Sequence, residues 1–292
     1  MSEGRVDAAV SLDRAPFEAR ALRNLALTTV TWVAAIIAAV PLVSVLYMLI
    51  VRGGARLGSA VFLELPPAGF ELGGGFGNAI VGTLLTVGIA AAISIPVGVL
   101  AAVFLAELQP EGTLPRAARF ATKTLTGMPS ILAGVFAYAV IVLATGTYSA
   151  PAGGVALAVL MIPTVILTAE SAIRAVPKIT RDAAYGMGCT RSQVVWKVLL
   201  PTAAPGILTG VMLAVARAAG ETAPLLFTAL GSTLWTTDIK SPMASLPVQI
   251  YSYSISPYED WHQKAWAAAF TLVALILLLN ITVRYLTRSR HG

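Results

Sequence analysis

The segment RAVPKITRDAAYGMGCTRSQVVWKVLLP, Arg174 to Pro201, is a charged island between long apolar runs. Two short helices are legible in it from their end signals. The first begins with Pro177 in its first turn, where a missing N–H costs nothing, and stops at Gly186 or Gly188, which tolerate the left-handed conformation of a helix end. The second opens on Thr190 with Gln193 three residues later, a capping-box pattern in which each side chain covers the other's orphan backbone donor. Val194, Val195, Val198 and Leu199 then recur at helical spacing and give the second helix an apolar face beside Arg191, Gln193 and Lys197. A helix, a glycine elbow and a second helix follow, with one face able to dock and the other wet.

Outward from this island the chain is apolar. Its 292 residues are 57% hydrophobic and 12% charged, with mean hydropathy +0.80, which is about half the charge of an ordinary soluble domain. No charge occurs from Asn24 to Val51, Leu72 to Ala106, Thr124 to Ala169, Val198 to Ala216 or Ala265 to Val283, and each run reaches the roughly 20 residues that cross a bilayer core. The third is too long for one helix and is broken by TGTYSAPAGG, residues 145–154, so it makes two spans. The expected fold is therefore all-α and integral to a membrane, with six transmembrane helices at roughly 25–50, 78–105, 124–145, 153–173, 203–229 and 263–285. Residues 1–24 form an Arg-rich arm. The first span is too long, and lacks the polar flank, for a cleaved signal peptide, so it reads as a retained anchor.

Details within the spans follow from the same physics. Small residues crowd NAIVGTLLTVGIAAAISIPVGVLAA, residues 78–102, which let backbones approach and set this span inside the bundle. Pro96 and Pro163 are expected to kink their helices. TGMPS, residues 126–130, should break the third span near its inner end, with Ser130 capping the helix beyond. The loop from Gly231 to Gln263 holds Trp235, Tyr251, Tyr253, Tyr258 and Trp261, with Trp266 just past it. These suit an interfacial aromatic belt or, equally, a surface for an external partner.

Orientation follows from the basic residues. Of the 20 Lys and Arg, only Arg52, Arg56, Lys240 and Lys264 fall outside if the N-terminus is inside, and Arg217 lies within a span. Both termini and the Arg174–Pro201 island then face the cytoplasm. The net charge of +6 is a topology signal, and no nucleic-acid partner is needed to explain it. The single Cys189 excludes an intramolecular disulfide and a multi-cysteine metal site. His262 and His291 make no metal motif and read as solvated. No Gly-Lys pair occurs, so a phosphate-binding P-loop is absent and the chain should not hydrolyse ATP.

Charges inside a span mark a pathway or a pair. In ARAAGETAP, Ala216 to Pro224, Arg217 and Glu221 stand four apart on one helix face and can neutralise each other. A structural ion pair is one reading. The other is a translocation path, because a permanently charged, forked guanidinium facing water suits a tetrahedral oxyanion. Thr222 adjoins the pair, and Pro224 should kink the span and open the path locally. Glu170 and Thr168, at the inner end of the fourth span, are further lining candidates, with Arg174 as the alternative partner of Glu170.

Two stretches carry a family resemblance. Asp182-Ala183-Ala184, then Gly188, then Val198-Leu199-Leu200-Pro201 resembles the EAA signature of ABC importer permeases, with Asp for Glu and Val for Ile. ARAAGETAPLLFTA, Ala216 to Ala229, is very similar to the A-type permeases of bacterial phosphate-specific (Pst) importers, as are NAIVGTLL, TGMPSILAGVFAY and the loop running from WTTD to LPVQIY. One departure is Leu167, where some relatives carry Arg. The resemblance covers about residues 76–285. It implies a type I ABC importer permease fold over residues 25–288, in the bacterial cytoplasmic membrane, with 174–201 as the cytoplasmic element that couples to an ATPase. In it Asp182, Ala183, Ala184, Gly188, Arg191 and Pro201 would meet that subunit. It also implies a paralogous permease as heterodimer partner, an ATPase dimer that binds ATP and Mg2+ so that this chain needs no cofactor, an extracytoplasmic phosphate-binding protein, and inorganic phosphate as substrate. Alternatives are a permease for sulfate or molybdate, an ion-coupled secondary transporter using Arg217 and Glu221, and a membrane sensor working through its outer loop.

Overall fold

The computed structural model describes residues 19–68, 73–108, 112–236 and 238–288, and every regular element among them is helical. The described residues fall into two compact units that meet between Met48 and Leu49. The first is a single helix, α1 (Ala19–Met48), which begins six residues before the expected span; most of the Arg-rich arm lies outside the described residues. Thr29 and Thr31 donate their hydroxyls to the Leu25 and Leu27 carbonyls at 2.9 and 2.8 Å. Both are satisfied inside the helix, as lipid requires.

The second unit opens with a short π-helical turn, Leu49–Gly53, and a short helix α2 (Ser59–Leu63) in the connection to the next long helix. Then come α3 (Gly77–Val103), which widens into a π-helical turn at Phe104–Leu108, α4 (Thr113–Thr126), α5 (Ser130–Ala137) continuing through Tyr138–Val142 into α6 (Leu143–Thr145), and α7 (Ala150–Arg174). The island folds as α8 (Lys178–Gly186) and α9 (Arg191–Gln193), the latter running through a π-turn at Val194–Leu199 into α10 (Leu200–Ala219). Two shorter helices, α11 (Ala223–Thr228) and α12 (Leu246–Ser254), precede the long α13 (Glu259–Arg288).

Five stretches are long and apolar enough to cross a membrane: Arg20–Gly53, Gly77–Leu108, Ala150–Arg174, Arg191–Ala219 and Glu259–Tyr285. A sixth crossing is the bent pair Thr113–Thr126 and Ser130–Thr145, with a 103° turn between its halves. Glycine contacts decide that this pair crosses rather than returns. A Cβ on Gly153 would meet Thr86 and one on Gly154 would meet Ile89, whereas one on Gly98 would meet Val165. Both helices therefore advance in the same direction, and a parallel pair joined by a connection that did not cross could not form. By contrast α10 runs antiparallel to α7, with Gly206 against Ala172 and Gly210 against Thr168.

These contacts also explain the small-residue pattern. A side chain on Gly210 would lie 2.1 Å from Thr168 Oγ1, and one on Gly82 would lie 1.9 Å from the Ala244 carbonyl. Without a hydrophobic force between helices in lipid, such close backbone approach is what holds a bundle together.

Several local expectations are corrected. The bend at residues 127–129 puts Thr124 and Thr126 in α4, so the third span begins only at Ser130. Ser130 is the first helical residue and makes no cap bond; Pro129 holds the cap position in extended geometry, because its ring cannot continue a helix from the preceding turn. Pro177 likewise caps α8 from outside. The fifth span stops at Ala219 instead of running to 229. The belt reading fails for Tyr253 and Trp261. Tyr253 is fully buried, donates to the Gly75 carbonyl at 2.9 Å and stacks edge-on against Trp261 with centroids 5.3 Å apart. His262 is not simply solvated, since Nε2 lies 2.7 Å from the Ser256 carbonyl.

Candidate translocation path and coupling element

The run Arg217–Ala229 is built as a broken helix. The last turn of α10 closes with Gly220 N–H on the Arg217 carbonyl at 3.1 Å and Glu221 N–H on Ala218 at 3.2 Å. Residues 220–222 leave the helix, and α11 restarts at Ala223 with Pro224 at its second position, where a missing donor is harmless. A Cβ on Gly134 of α5 would lie 2.7 Å from Pro224 Cα, so α11 seats directly on α5. The end of α11 is fixed by Ser149 N–H on the Thr228 carbonyl at 3.0 Å and Met243 N–H on Ala229 at 3.1 Å. Leu230 then adopts φ +62, a left-handed conformation rare for a bulky side chain.

Depth follows from the helix match. Gly210 faces Thr168 in an antiparallel pair, and Arg217 lies seven residues on, about 10 Å at 1.5 Å per residue. That sets Arg217 level with about Met161, near the middle of α7. Its side chain is 55% exposed in the isolated chain, and Nε stands 3.7 Å from Oε1 of Glu221, whose side chain is 19% exposed. The pair is in Coulomb contact and not a tight hydrogen bond. Thr222, half-buried beside it, occupies the cap position of α11 without a cap bond. Irregular backbone in a membrane is tolerated where it is buried in protein or lines a cavity.

Of the remaining path candidates, Thr168 donates to the Thr164 carbonyl at 2.8 Å and packs under Gly210. Glu170 is 6% exposed and takes the alternative the sequence left open. It accepts Arg174 Nε at 3.0 Å and, unforeseen, Arg119 Nε at 2.7 Å. Arg119 had read only as a topology charge, because its partner stands 51 residues away.

At the other functional stretch, the capping box forms as expected: Thr190 N–H meets Gln193 Oε1 at 2.8 Å and Gln193 N–H meets Thr190 Oγ1 at 3.4 Å. Gly188 makes the elbow at φ +83. Val194, Val195 and Leu199 are buried, and Ala184 turns inward while Asp182, Ala183, Gly188 and Pro201 face out. Ile179 and Met187, 76% and 77% exposed, and Tyr185 are apolar side chains left open to the outside of this element. Arg191 is exposed but bonds inward, to the carbonyls of Glu107 and Leu108.

A polypeptide that interrupts its backbone beside an arginine at mid-depth, and folds a capped two-helix element at one end of the bundle, is an integral membrane transport subunit and not itself a catalyst. The chain belongs to the family of binding-protein-dependent transport system inner membrane components, whose family model matches residues 94–291. It is 39% identical over 268 residues to the phosphate transport system permease protein PstA of Pasteurella multocida, covering 92% of this chain and 95% of that protein. It is 38% identical over 251 residues to PstA of Yersinia pestis, covering 86% and 85%, and 40% identical over 213 residues to the probable PstA of Methanocaldococcus jannaschii, covering 73% and 75%. In fold it matches an inward-facing MetNI methionine ABC transporter chain with TM-score 0.59 at 23% identity, over 73% of this chain and 92% of that one.

Proposed function

We propose that this chain is the permease subunit of an ATP-driven phosphate importer and forms half of the phosphate path. The observation that carries the reading is Arg217, a mid-depth guanidinium left half-open beside a backbone break. Its forked donors fit two oxygens of a tetrahedral oxyanion at once. Glu221, 3.7 Å away, holds the guanidinium in place and repels a bound anion, so that the ion leaves as readily as it enters. Thr222 and Thr168 add hydroxyls along the same side, and Glu170 steers the inner end through the arginines it holds. The open side of Arg217 is where a related permease completes the path.

The element α8–α9 is the docking site for an ATPase, through Asp182, Ala183, Ala184, Gly188, Arg191 and Pro201, with Ile179 and Met187 as apolar anchors. ATP and Mg2+ bind the ATPase, and this chain carries no cofactor. An extracytoplasmic phosphate-binding protein delivers the ion at the opposite end. Both termini face the cytoplasm, and residues 25–288 act as one permease domain after an N-terminal arm. Each partner must grip one state better than the other, since equal affinity shifts nothing.

Phosphate uptake into vesicles tests this. The chain alone should be inactive, and uptake should require the ATPase, the partner permease, the binding protein and ATP together. ATP-independent uptake by the chain alone would favour a secondary transporter, and a preference for sulfate or molybdate would reassign the substrate.

A further inference from the structure

The coupling element is covalently continuous with α7 on one side and α10 on the other, but with neither α3 nor α4. The end of α3 meets it directly, and α4 meets the end of α7 beside it, through an arginine–carboxylate network at the inner end of the bundle. The π-turn at the end of α3 leaves its last carbonyls without partners in the helix, and arginines from other elements fill them. Arg119 of α4 donates Nη2 to the Leu105 carbonyl at 2.6 Å while its Nε binds Glu170 of α7. Arg174 reaches the same carbonyl at 3.5 Å and the same carboxylate. Arg191, at the start of α9, donates to the Leu108 carbonyl at 2.8 Å and to that of Glu107. Arg181 of α8 donates Nη2 to the Ile173 carbonyl at 2.8 Å and sets Nη1 2.8 Å from Glu107 Oε1.

We propose that Glu107 and Glu170 are positioning residues, Glu107 clasping the end of α3 to α8 and Glu170 clasping α4 to the end of α7 from which α8 departs, so that displacing α8–α9 moves four helices of the bundle and not two. The inference rests on the reading that an ATPase acts on α8–α9. Both carboxylates are nearly enclosed, with 11% and 8% of their side chains exposed, so the pairs are little screened by solvent. The two joints differ. Glu170 is hydrogen-bonded to both of its arginines. At Glu107 the contact with Arg181 is close but poorly aligned, and Arg181 Nε is buried without a partner. A buried unsatisfied donor is costly, and a shift of α8 that aligned it would tighten the joint. Glu107–Arg181 is thus the yielding joint and Glu170 the fixed one.

The test uses the complete set of subunits in vesicles and reads phosphate taken up per ATP hydrolysed. Glu107→Gln keeps the shape and removes the charge. The expected result is an assembled complex whose ATPase rate stays within about two-fold while phosphate per ATP falls at least about five-fold, the lower end of ordinary coupling between sites. The exchange of charges, Glu107→Arg with Arg181→Glu, should recover most of the ratio, which a general loss of folding would not. Amide hydrogen exchange at residues 178–193 of the complex should rise in Glu107→Gln and return in the exchanged pair. An unchanged ratio, or uptake and ATPase falling together, overturns the clasp. If the native set shows no ATP-driven phosphate uptake, the functional reading falls, and hydrogen exchange alone decides the clasp: no rise in Glu107→Gln refutes it.

Discussion

Arg217 combines a fixed charge with a fixed geometry, and the two can be separated. Arg217→Lys keeps the charge but replaces the planar fork by a point donor, and Arg217→Ala removes both. Loss of a charge-assisted bidentate contact corresponds to about 1.5–3 kcal/mol, or roughly 10–100-fold in affinity. Lys should therefore raise the phosphate concentration for half-maximal uptake by that factor, and Ala should abolish uptake while the subunits still co-purify. Normal uptake by the Ala variant would remove Arg217 from the path. At the end of the bundle away from α8–α9, Tyr253 offers a stability test. Burial, with Asp260 nearby adding to it and a hydrogen bond from Gln249 opposing, pushes its hydroxyl from 10.0 up to about 12. Between those values the unfolded chain releases a proton that the folded one keeps, so the stabilisation is complete below about pH 10 and is lost as pH rises toward 12. Tyr253→Phe should flatten this alkaline loss in thermal unfolding of the detergent-solubilised protein. It should also lower stability near neutrality by about 1 kcal/mol, through the Gly75 carbonyl left unpaired.

Among the elements, what the sequence made legible was whatever depends on neighbours a few residues away. The capping box at Thr190 and Gln193, the Gly188 elbow and the buried Val194–Val195–Leu199 face all follow from local spacing, and all are present. The break after Ala219 was not legible as a break: Pro224 announced a kink, but the helix ends five residues earlier, where Gly220 and the seating of α11 on Gly134 decide it. Arg119, Glu107 and Tyr253 were invisible as partners because their contacts span 51 to 178 residues of chain. Neighbouring glycines of the coupling element separate local from tertiary causes. A Cβ on Gly186 or Gly188 would meet nothing within 4 Å, but only Gly188 has positive φ. Gly186→Ala should then be neutral or slightly stabilising. Gly188→Val should cost about 1–2 kcal/mol in backbone strain and uncouple ATP hydrolysis from uptake. Equal effects of the two substitutions would place the cause in a contact surface and not in the elbow.

For the whole molecule, the number of crossings determines which side of the membrane α8–α9 faces. The parallel run of α3 and α7 requires the chain between Leu108 and Ala150 to traverse the bundle once, so the bent pair of α4 with α5–α6 counts as a crossing and the total is six. Within the second unit this puts α8–α9 at one end of the bundle and the 231–245 loop at the other. Had the bent pair been re-entrant, α7 would run the opposite way, and α8–α9 and the 231–245 loop would exchange sides. Cysteine labelling distinguishes the two. In a Cys189→Ser background, Ile179→Cys, at a position 76% exposed, should resist a membrane-impermeant maleimide in intact cells and react after the membrane is opened. Ser241→Cys, in the loop between α11 and α12, should react in intact cells. Labelling of Ile179→Cys from outside with Ser241→Cys protected would refute the six-crossing arrangement, and with it the proposed docking of an ATPase at α8–α9, which requires the side where ATP is available.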